Sequence, residues 1–229
     1  MNLIGICLIS AIVAQPIVRV ESIERGSTSW GTGTCVASTN ESLIITAWHV
    51  IRDGHEFKVN GKPAKLIKAD KTWDLAALII DERMPTFNIG NHRPKIGETL
   101  MVCGYGSGDY RESKGQITQY VSPNSVQPAD IIECTAKARN GDSGGPIFDT
   151  HGILVAVLFG TDQVGAHGSC CIQVRKFIES LTIDVRLKQQ ALIIPYVFYD
   201  KTKIRSRNNG RRRCSKYVTR TAFNFEVVQ

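Results

Sequence analysis

A serine enclosed by glycines constrains this sequence more than any other feature. Residues 139–146 read Arg-Asn-Gly-Asp-Ser-Gly-Gly-Pro, with the serine at position 143. Glycine adopts backbone angles that a Cβ forbids, so the chain can turn sharply here and aim several N–H groups at one point. A serine hydroxyl becomes a nucleophile when a base takes its proton, and such N–H groups can stabilise an oxyanion. The same residue types also form polar surface turns, so the segment favours nucleophilic chemistry without excluding a turn.

A histidine that could act as the base follows a hairpin pattern earlier in the chain. Residues 26–34 are small apart from Trp30 and are expected to form a loop, and the largely apolar segments 35–37 and 43–47 flank a polar turn. This pattern predicts a β-hairpin in an all-β domain. His49 stands at its end, in the sequence Thr-Ala-Trp-His. A lone histidine after a strand is more often structural, but the serine loop downstream makes His49 the predicted base.

An acid that could orient this histidine begins the next strongly apolar segment. Asp74 opens the run Asp-Leu-Ala-Ala-Leu. An acid at the mouth of a buried strand is held rigidly and can accept the imidazole N–H of a base. Asp70 and Asp53 are competitors, but neither precedes a similar apolar run. Asp74 is therefore the predicted acid, with a strand or helix cap as the alternative role.

These three segments together resemble the trypsin/chymotrypsin clan of serine peptidases. The motifs are G-D-S-G-G-P at 141–146, T-A-W-H at 46–49 and D-L-A-A-L at 74–78, and they follow the clan's chain order of His, Asp and Ser. The resemblance covers residues 20–181, and the short intervals between motifs are typical of the compact bacterial HtrA-like members. It implies an all-β fold of two six-stranded Greek-key barrels, with a last strand at 171–174, a short C-terminal helix at 175–181 and a basic extension.

The resemblance also implies a mechanism and a set of catalytic residues. The chain is expected to be a serine endopeptidase in which Ser143 attacks a peptide carbonyl, His49 accepts its proton and Asp74 holds the imidazole. Backbone N–H groups of Gly141 and Ser143 form the expected oxyanion hole. No cofactor and no metal are expected, since the sequence has no C-x-x-C unit that would indicate zinc.

The expected substrate is a protein or peptide, and four residues are candidates for binding it. Leu158 and Gly160 resemble the edge strand that pairs with a substrate backbone. Lys137, six residues before the serine, is expected near the primary pocket, where a cation would disfavour Lys or Arg and accept acids. His167 is a further candidate. The alternative is that Lys137 and His167 both point to solvent.

The activation route of the digestive enzymes has no counterpart in this sequence. Their I-V-G-G start is missing, since Ile17 and Val18 are followed by Arg19. Asp142, the acid before the serine, therefore lacks by motif its usual partner in zymogen activation. Whether another buried cation takes that place is left open by the sequence.

The first residues favour export. Residues 1–14 are almost wholly apolar and predict a signal peptide, followed by a peptidase domain at 15–181 and a secreted or periplasmic location. A buried strand or a membrane anchor is the alternative, although a spanning helix needs about 20 apolar residues. Removal of Cys7 with the signal leaves six of the seven cysteines, an even number compatible with disulfides.

Residues 182–229 form a basic extension. They contain 11 Lys or Arg and 3 Asp or Glu, a net charge of +8, whereas the whole chain carries +7. The segment 205–220 could bind an anionic surface or nucleic acid, but basic runs are commonly just solvated. No PDZ-like domain is expected after residue 181, and the oligomeric state is not set by the sequence. Two rival interpretations are an inactive binding module with the trypsin fold and an anionic-polymer binding protein that acts through this extension.

Overall fold

The computed structural model describes residues 16–193, apart from residue 107. The predicted signal peptide at 1–14 and the basic segment at 205–220 lie outside the described residues, as do Cys7 and Cys214. Within the described range, no helix combines the length and the apolar character needed to cross a membrane. The same range contains no cluster of three or more His, Cys, Asp or Glu side chains placed to hold a metal ion.

Strands dominate the described part of the chain. They are β1 Ile17–Glu24, β2 Ser27–Ser38, β3 Ser42–Thr46, β4 Glu56–Val59, β5 Lys62–Asp70, β6 Leu75–Ile80, β7 Asn88–Ile89, β8 Thr99–Gly104, β9 Arg111–Val121, β10 Ile131–Cys134, β11 Pro146–Asp149, β12 Ile153–Thr161 and β13 Ala166–Cys170. The helices are α1 Trp48–Ile51, α2 Cys171–Glu179 and α3 Val185–Leu192.

The first barrel is formed by β1 to β6 in the order β1-β2-β3-β6-β5-β4, closed by antiparallel pairing of β1 with β4. Its core is built from aliphatic side chains such as Val18, Val20, Ile44 and Leu78, all fully buried. Burying each such side chain contributes about 1.5–3 kcal/mol. The end of β3 and the start of β6 are therefore rigid, and they support the residues that follow β3 and those that precede β6.

The second barrel has the order β11-β8-β9-β10-β13-β12 and is closed by pairing of β11 with β12. The short strand β7 adds to β12 in parallel, outside this ring. The predicted fold of two six-stranded barrels is thereby confirmed. Both barrels belong to one compact unit.

Two local predictions of secondary structure are wrong. Residues 26–34 were expected to be a loop, but most of them belong to β2. Their small side chains allow this strand to pack closely against neighbouring side chains. At Gly33 an added Cβ would lie 2.6 Å from the Ile44 side chain. Residues 171–174, expected to be the last strand, are the first turn of α2. Among residues 16–193 the last strand is β13, and the helix that follows it begins at Cys171 rather than at residue 175.

Helix α3 lies beyond the predicted domain limit at residue 181. Asp184 caps its first turn by accepting hydrogen bonds from the N–H groups of Arg186 and Leu187. Leu187 and Ala191 are buried, and Gln190 accepts a hydrogen bond of 2.9 Å from the Ser38 N–H at the end of β2. The helix thus packs on the first barrel, and the boundary at 181 stays a prediction.

The five described cysteines are buried and form no disulfide with one another; they are Cys35, Cys103, Cys134, Cys170 and Cys171. Burial raises the pKa of both Cys35 and Cys103 to about 12. Because the thiolate is the reactive form, these two thiols are protonated and inert at neutral pH.

We expect Cys35 and Cys103 to resist iodoacetamide in the folded protein. Burial excludes the reagent, and the raised pKa removes the thiolate that would attack it. Mass spectrometry of tryptic peptides after alkylation measures this, with a urea-unfolded sample as the control in which both thiols react. Alkylation of the folded protein at the rate of the unfolded sample would contradict the expected protection.

Candidate active site

The imidazole of His49 is bound by the carboxylate of Asp74. His49 lies in α1, which starts directly after β3, and Asp74 immediately precedes β6. Asp74 Oδ2 lies 2.6 Å from His49 Nδ1, and Asp74 Oδ1 accepts the His49 backbone N–H at 2.8 Å. The same carboxylate therefore fixes both the ring and the turn that carries it. This is the arrangement in which an acid orients a base and stabilises its protonated form.

Asp74 is held in a left-handed conformation, with φ +49°. Its carbonyl accepts a hydrogen bond of 3.2 Å from the Trp48 N–H. The preceding residue, Trp73, is buried, and its carbonyl accepts a hydrogen bond from Ser169 of β13. Since β13 belongs to the second barrel, contacts from both barrels fix the backbone around this acid.

The two competing acids have other partners. Asp70 Oδ1 accepts hydrogen bonds from the N–H groups of Thr72, at 2.8 Å, and Trp73, at 3.3 Å, and so stabilises the turn before Asp74. Asp53 pairs on the surface with the neighbouring Arg52 at 2.9 Å. Of the three candidates, Asp74 is the one that lies against His49.

Ser143 lies on the same cleft as His49. The cleft has a volume of about 230 Å³ and is lined by His49, Ala138, Arg139, Asn140, Ser143, Leu158, Phe159, Gly160 and Thr161. Both residues line this cleft, and in the described part of the chain no hydrogen bond joins their side chains. Such bonds are often long in enzymes without substrate and shorten when the substrate binds.

The backbone around Ser143 leaves two donors available. Gly141 and Gly144 have φ +88° and +87°, angles that glycine adopts without strain. The Gly144 N–H donates to the Leu158 carbonyl at 2.7 Å. The N–H groups of Gly141 and Ser143 donate to no acceptor among the residues described, and their role as oxyanion donors stays a prediction.

Two threonines of β2 hold the loop that carries Ser143, and neither was identified from the sequence because their segment was predicted to be a loop. Thr32 donates its N–H to the Ser143 carbonyl and its hydroxyl to the Gly141 carbonyl, each at 2.8 Å. The Thr34 hydroxyl donates to the Gly144 carbonyl at 3.0 Å. The first barrel therefore anchors the loop of the second. Threonines alternating with Gly31 and Gly33 were the available signal.

Arg139 is a third residue whose part in the site the sequence did not reveal. Its guanidinium lies 3.0 Å from the carboxylate of Asp142, the buried acid next to Ser143. The signal was an arginine three residues before that acid.

The four predicted substrate-binding residues fall into two groups. Leu158 and Gly160 line the cleft, whereas Lys137 and His167 are not among its lining residues. The Lys137 amine donates to the carbonyls of Gln163 and Val164 at 3.0 and 3.3 Å. A substrate-binding role for all four stays a prediction.

His167 lies between two carboxylates. Its Nδ1 is 3.3 Å from Glu133 Oε1, and its Nε2 is 3.1 Å from Asp162 Oδ2. The pKa of Asp162 is lowered, first by the hydrogen bond from the Gly165 N–H and then by contacts that include His167. The Asp162 carboxylate therefore stays charged and holds the turn that follows the cleft residue Thr161.

Several curated relatives of this chain are named as bacterial serine proteases. A probable periplasmic serine endoprotease, DegP-like, of Pseudomonas putida is 28% identical over 144 residues, which cover 58% of this chain and 29% of that protein. The serine protease Rv3671c of Mycobacterium tuberculosis is 28% identical over 145 residues, covering 57% of this chain and 36% of that protein. The chain thus spans about a third of the length of these relatives.

Solved structures share the fold. The active form of the Rv3671c protease of M. tuberculosis superposes with a TM-score of 0.64 at 21% identity, covering 76% of this chain and 84% of that one. A serine endoprotease from Yersinia pestis gives a TM-score of 0.62 at 23% identity, covering 73% of this chain and 63% of that one.

The family profile described as trypsin-like peptidase domain matches residues 31–157, more than half of the 229-residue chain. This match contains His49 and Ser143, which line one cleft, and Asp74, which binds His49. The chain belongs to the trypsin-like peptidase domain family.

Proposed function

We propose that this chain is a serine endopeptidase that hydrolyses peptide bonds through an acyl-enzyme intermediate. The observation that carries the proposal is the cleft shared by Ser143 and an imidazole that Asp74 binds at 2.6 Å. A nucleophile beside a base, with the base oriented by an acid, is the constellation that acyl transfer requires.

Each residue has a defined part in the proposed reaction. Ser143 Oγ forms a bond to the substrate carbonyl carbon while His49 Nε2 takes its proton, and Asp74 stabilises the imidazolium. The N–H groups of Gly141 and Ser143 bind the oxyanion, an effect of about 3–4 kcal/mol per donor in comparable sites. His49 then protonates the leaving amine as the C–N bond breaks. Water, deprotonated by His49, releases the acyl group and regenerates Ser143.

The acyl side of the substrate is proposed to lie along residues 158–160. The Leu158 N–H and carbonyl are both engaged, with Gly145 and Gly144 respectively. At Gly160, an added Cβ would meet nothing within 4 Å, so this end of the strand opens onto the cleft. Gly160 pairs with His167 of β13 on one side, and the pairing of β12 with β11 on the other side ends at Val157, so that other edge of Gly160 is the proposed position for pairing with a peptide.

We also propose that the protein is exported. The DegP-like relatives are named periplasmic, and residues 1–14 have the composition of a signal peptide. Binding of an anionic surface through 205–220 concerns residues outside those described and adds nothing to the hydrolase proposal.

Covalent labelling tests the nucleophile. We expect the wild-type protein to react with a fluorophosphonate probe, forming an Oγ–P bond at Ser143 with loss of fluoride, and Ser143→Ala to remain unlabelled. Ser125→Ala, at an exposed loop position, is the matched control and should label like the wild type. Labelling that survives in Ser143→Ala, or a folded wild type that does not label, would overturn the proposal.

A further inference from the structure

A second cavity, of about 240 Å³, lies outside the cleft that contains Ser143. It is lined by Arg19, Trp30, Gly31, Tyr105, Gly106 and Gly108, none of which lines that cleft. Both barrels contribute to it, since Arg19 belongs to β1, Trp30 belongs to β2 and Tyr105 follows β8. The proposed reaction assigns no part to this cavity.

The second cavity adjoins the loop that carries Ser143. An added Cβ at Gly31 would lie 3.2 Å from the Ser143 carbonyl oxygen, and one at Gly141 would lie 2.3 Å from the Gly106 carbonyl oxygen. The acyl part of the substrate is proposed to run along residues 158–160, which line the cleft and not this cavity. A peptide that passes Ser143 therefore brings its leaving-group side, the residues after the cleaved bond, toward the second cavity.

Arg19 lies within a few residues of the bond to be cleaved. It stands opposite Thr32 in the pairing of β1 with β2, and the Thr32 N–H donates to the Ser143 carbonyl at 2.8 Å. Neighbouring strands lie about 4.8 Å apart, and an extended peptide advances about 3.3 Å per residue. The first three residues after the cleaved bond are thus within reach of the Arg19 side chain.

The guanidinium of Arg19 has no acidic partner among the described residues. No carboxylate in this part of the chain lies within ion-pair distance of it. Its Cζ lies instead 5.4 Å from the centroid of the Tyr105 ring, and the residue is partly buried. A guanidinium placed in this way favours a charge-assisted, two-point contact with a carboxylate.

Hydrogen bonds hold the walls of the second cavity in place. The Arg19 N–H donates to Asn60 Oδ1 at 2.9 Å, and the Asn60 N–H donates to the Arg19 carbonyl at 3.0 Å. Tyr105 donates its N–H to Thr32 Oγ1 at 3.1 Å and its hydroxyl to the Ile17 carbonyl at 3.4 Å. Binding of a peptide side chain here would therefore require little ordering of the protein.

Trp30 adds an apolar wall beside this charge. The residue is 53% exposed, so its ring can cover the methylene groups of a bound side chain. We propose that Arg19 is a specificity-determining residue, which selects an Asp or Glu side chain among the first three residues after the cleaved bond. This inference rests on the proposed function as a serine endopeptidase and names the class of peptide that the enzyme prefers.

The test compares matched peptides that differ at one position after the cleaved bond. Cleavage of a randomised peptide mixture, measured by mass spectrometry, first gives the preferred position, and peptides with Glu, Gln or Lys there are then assayed with the full chain. We expect kcat/KM to be about 3–10-fold higher for Glu than for Gln, the effect of a partly exposed charged contact. Arg19→Gln should abolish this difference, and Arg19→Glu should reverse it in favour of Lys.

The expected reversal protects the test against misfolding, because an unfolded variant cannot gain activity toward the Lys peptide. Arg25→Gln, in the exposed turn between β1 and β2, is the matched control and should keep the wild-type preference. Equal cleavage of the Glu and Gln peptides by the wild type, or a preference for Glu that survives in Arg19→Gln, would overturn the inference while leaving the peptidase assignment intact. A wild type that cleaves no peptide would overturn the proposed function together with the inference.

Discussion

Replacing Asp74 with Asn should lower kcat by about 10⁴-fold while leaving the protein folded. The amide preserves the size of the side chain, so Oδ1 can still accept the His49 backbone N–H that the carboxylate accepts at 2.8 Å. At Nδ1, however, an amide nitrogen would favour the wrong imidazole tautomer, with the proton on the nitrogen that should accept it from Ser143. The measurement is steady-state hydrolysis of a peptide substrate, with circular dichroism as the check of folding.

Asp53→Asn is the control for this experiment. Asp53 pairs with Arg52 at the surface, where both side chains are more than half exposed, so its charge contributes little. We expect its kcat to equal that of the wild type. Equal losses in the two variants, or a wild-type rate in Asp74→Asn, would show that Asp74 does not orient the base.

Replacing Gly144 with Ala should destabilise the fold and abolish hydrolysis. An added Cβ would lie 2.0 Å from the Thr32 carbonyl oxygen and 2.3 Å from Thr46 Oγ1. Neither group can withdraw easily, because Thr32 lies in β2, which is paired on both sides, and Thr46 ends β3. We expect a loss of about 4 kcal/mol or more in the free energy of unfolding, at the exceptional end for one substitution. Urea unfolding measures this loss.

Gly97→Ala separates the steric clash from the cost of the backbone angle. Gly97 has φ +85°, close to the +87° of Gly144, but an added Cβ there would meet nothing within 4 Å. The expected loss is about 1–2 kcal/mol, with activity retained. If the two variants were equally stable, close approach of β2 to the loop would not be the reason for glycine at position 144.

Apolar runs made much of the fold predictable. The apolar run after Asp74 was expected to be a buried strand, and β6 begins at Leu75 and is buried almost throughout. The place of Asp74 follows from that strand, and the place of His49 follows from β3. A side chain at the end of a buried strand has little freedom. The order of the motifs along the chain was therefore sufficient to predict that His49 and Asp74 lie together.

Other features depended on contacts that a linear pattern does not contain. The small residues of β2 indicated a loop. In the fold, however, Gly31 and Gly33 lack a Cβ where the strand packs closely against Val50 and Ile44. The turn to α2 at Cys171 lies within an apolar run that suits a strand equally well. The partner of Asp142 could not be identified either, since Arg139 was one of many cations in the chain.

Thr32 and Thr34 of the first barrel donate hydrogen bonds to the loop of the second barrel that carries Ser143, so the proposed activity depends on contact between the two barrels, the two halves of the fold. The serine keeps its orientation only while the half that carries these threonines is seated against the half that carries the loop. Partial melting that separates the halves should therefore silence proteolysis before the secondary structure of either half is lost. A partly unfolded copy of this protein is therefore expected to lose the proposed peptidase activity.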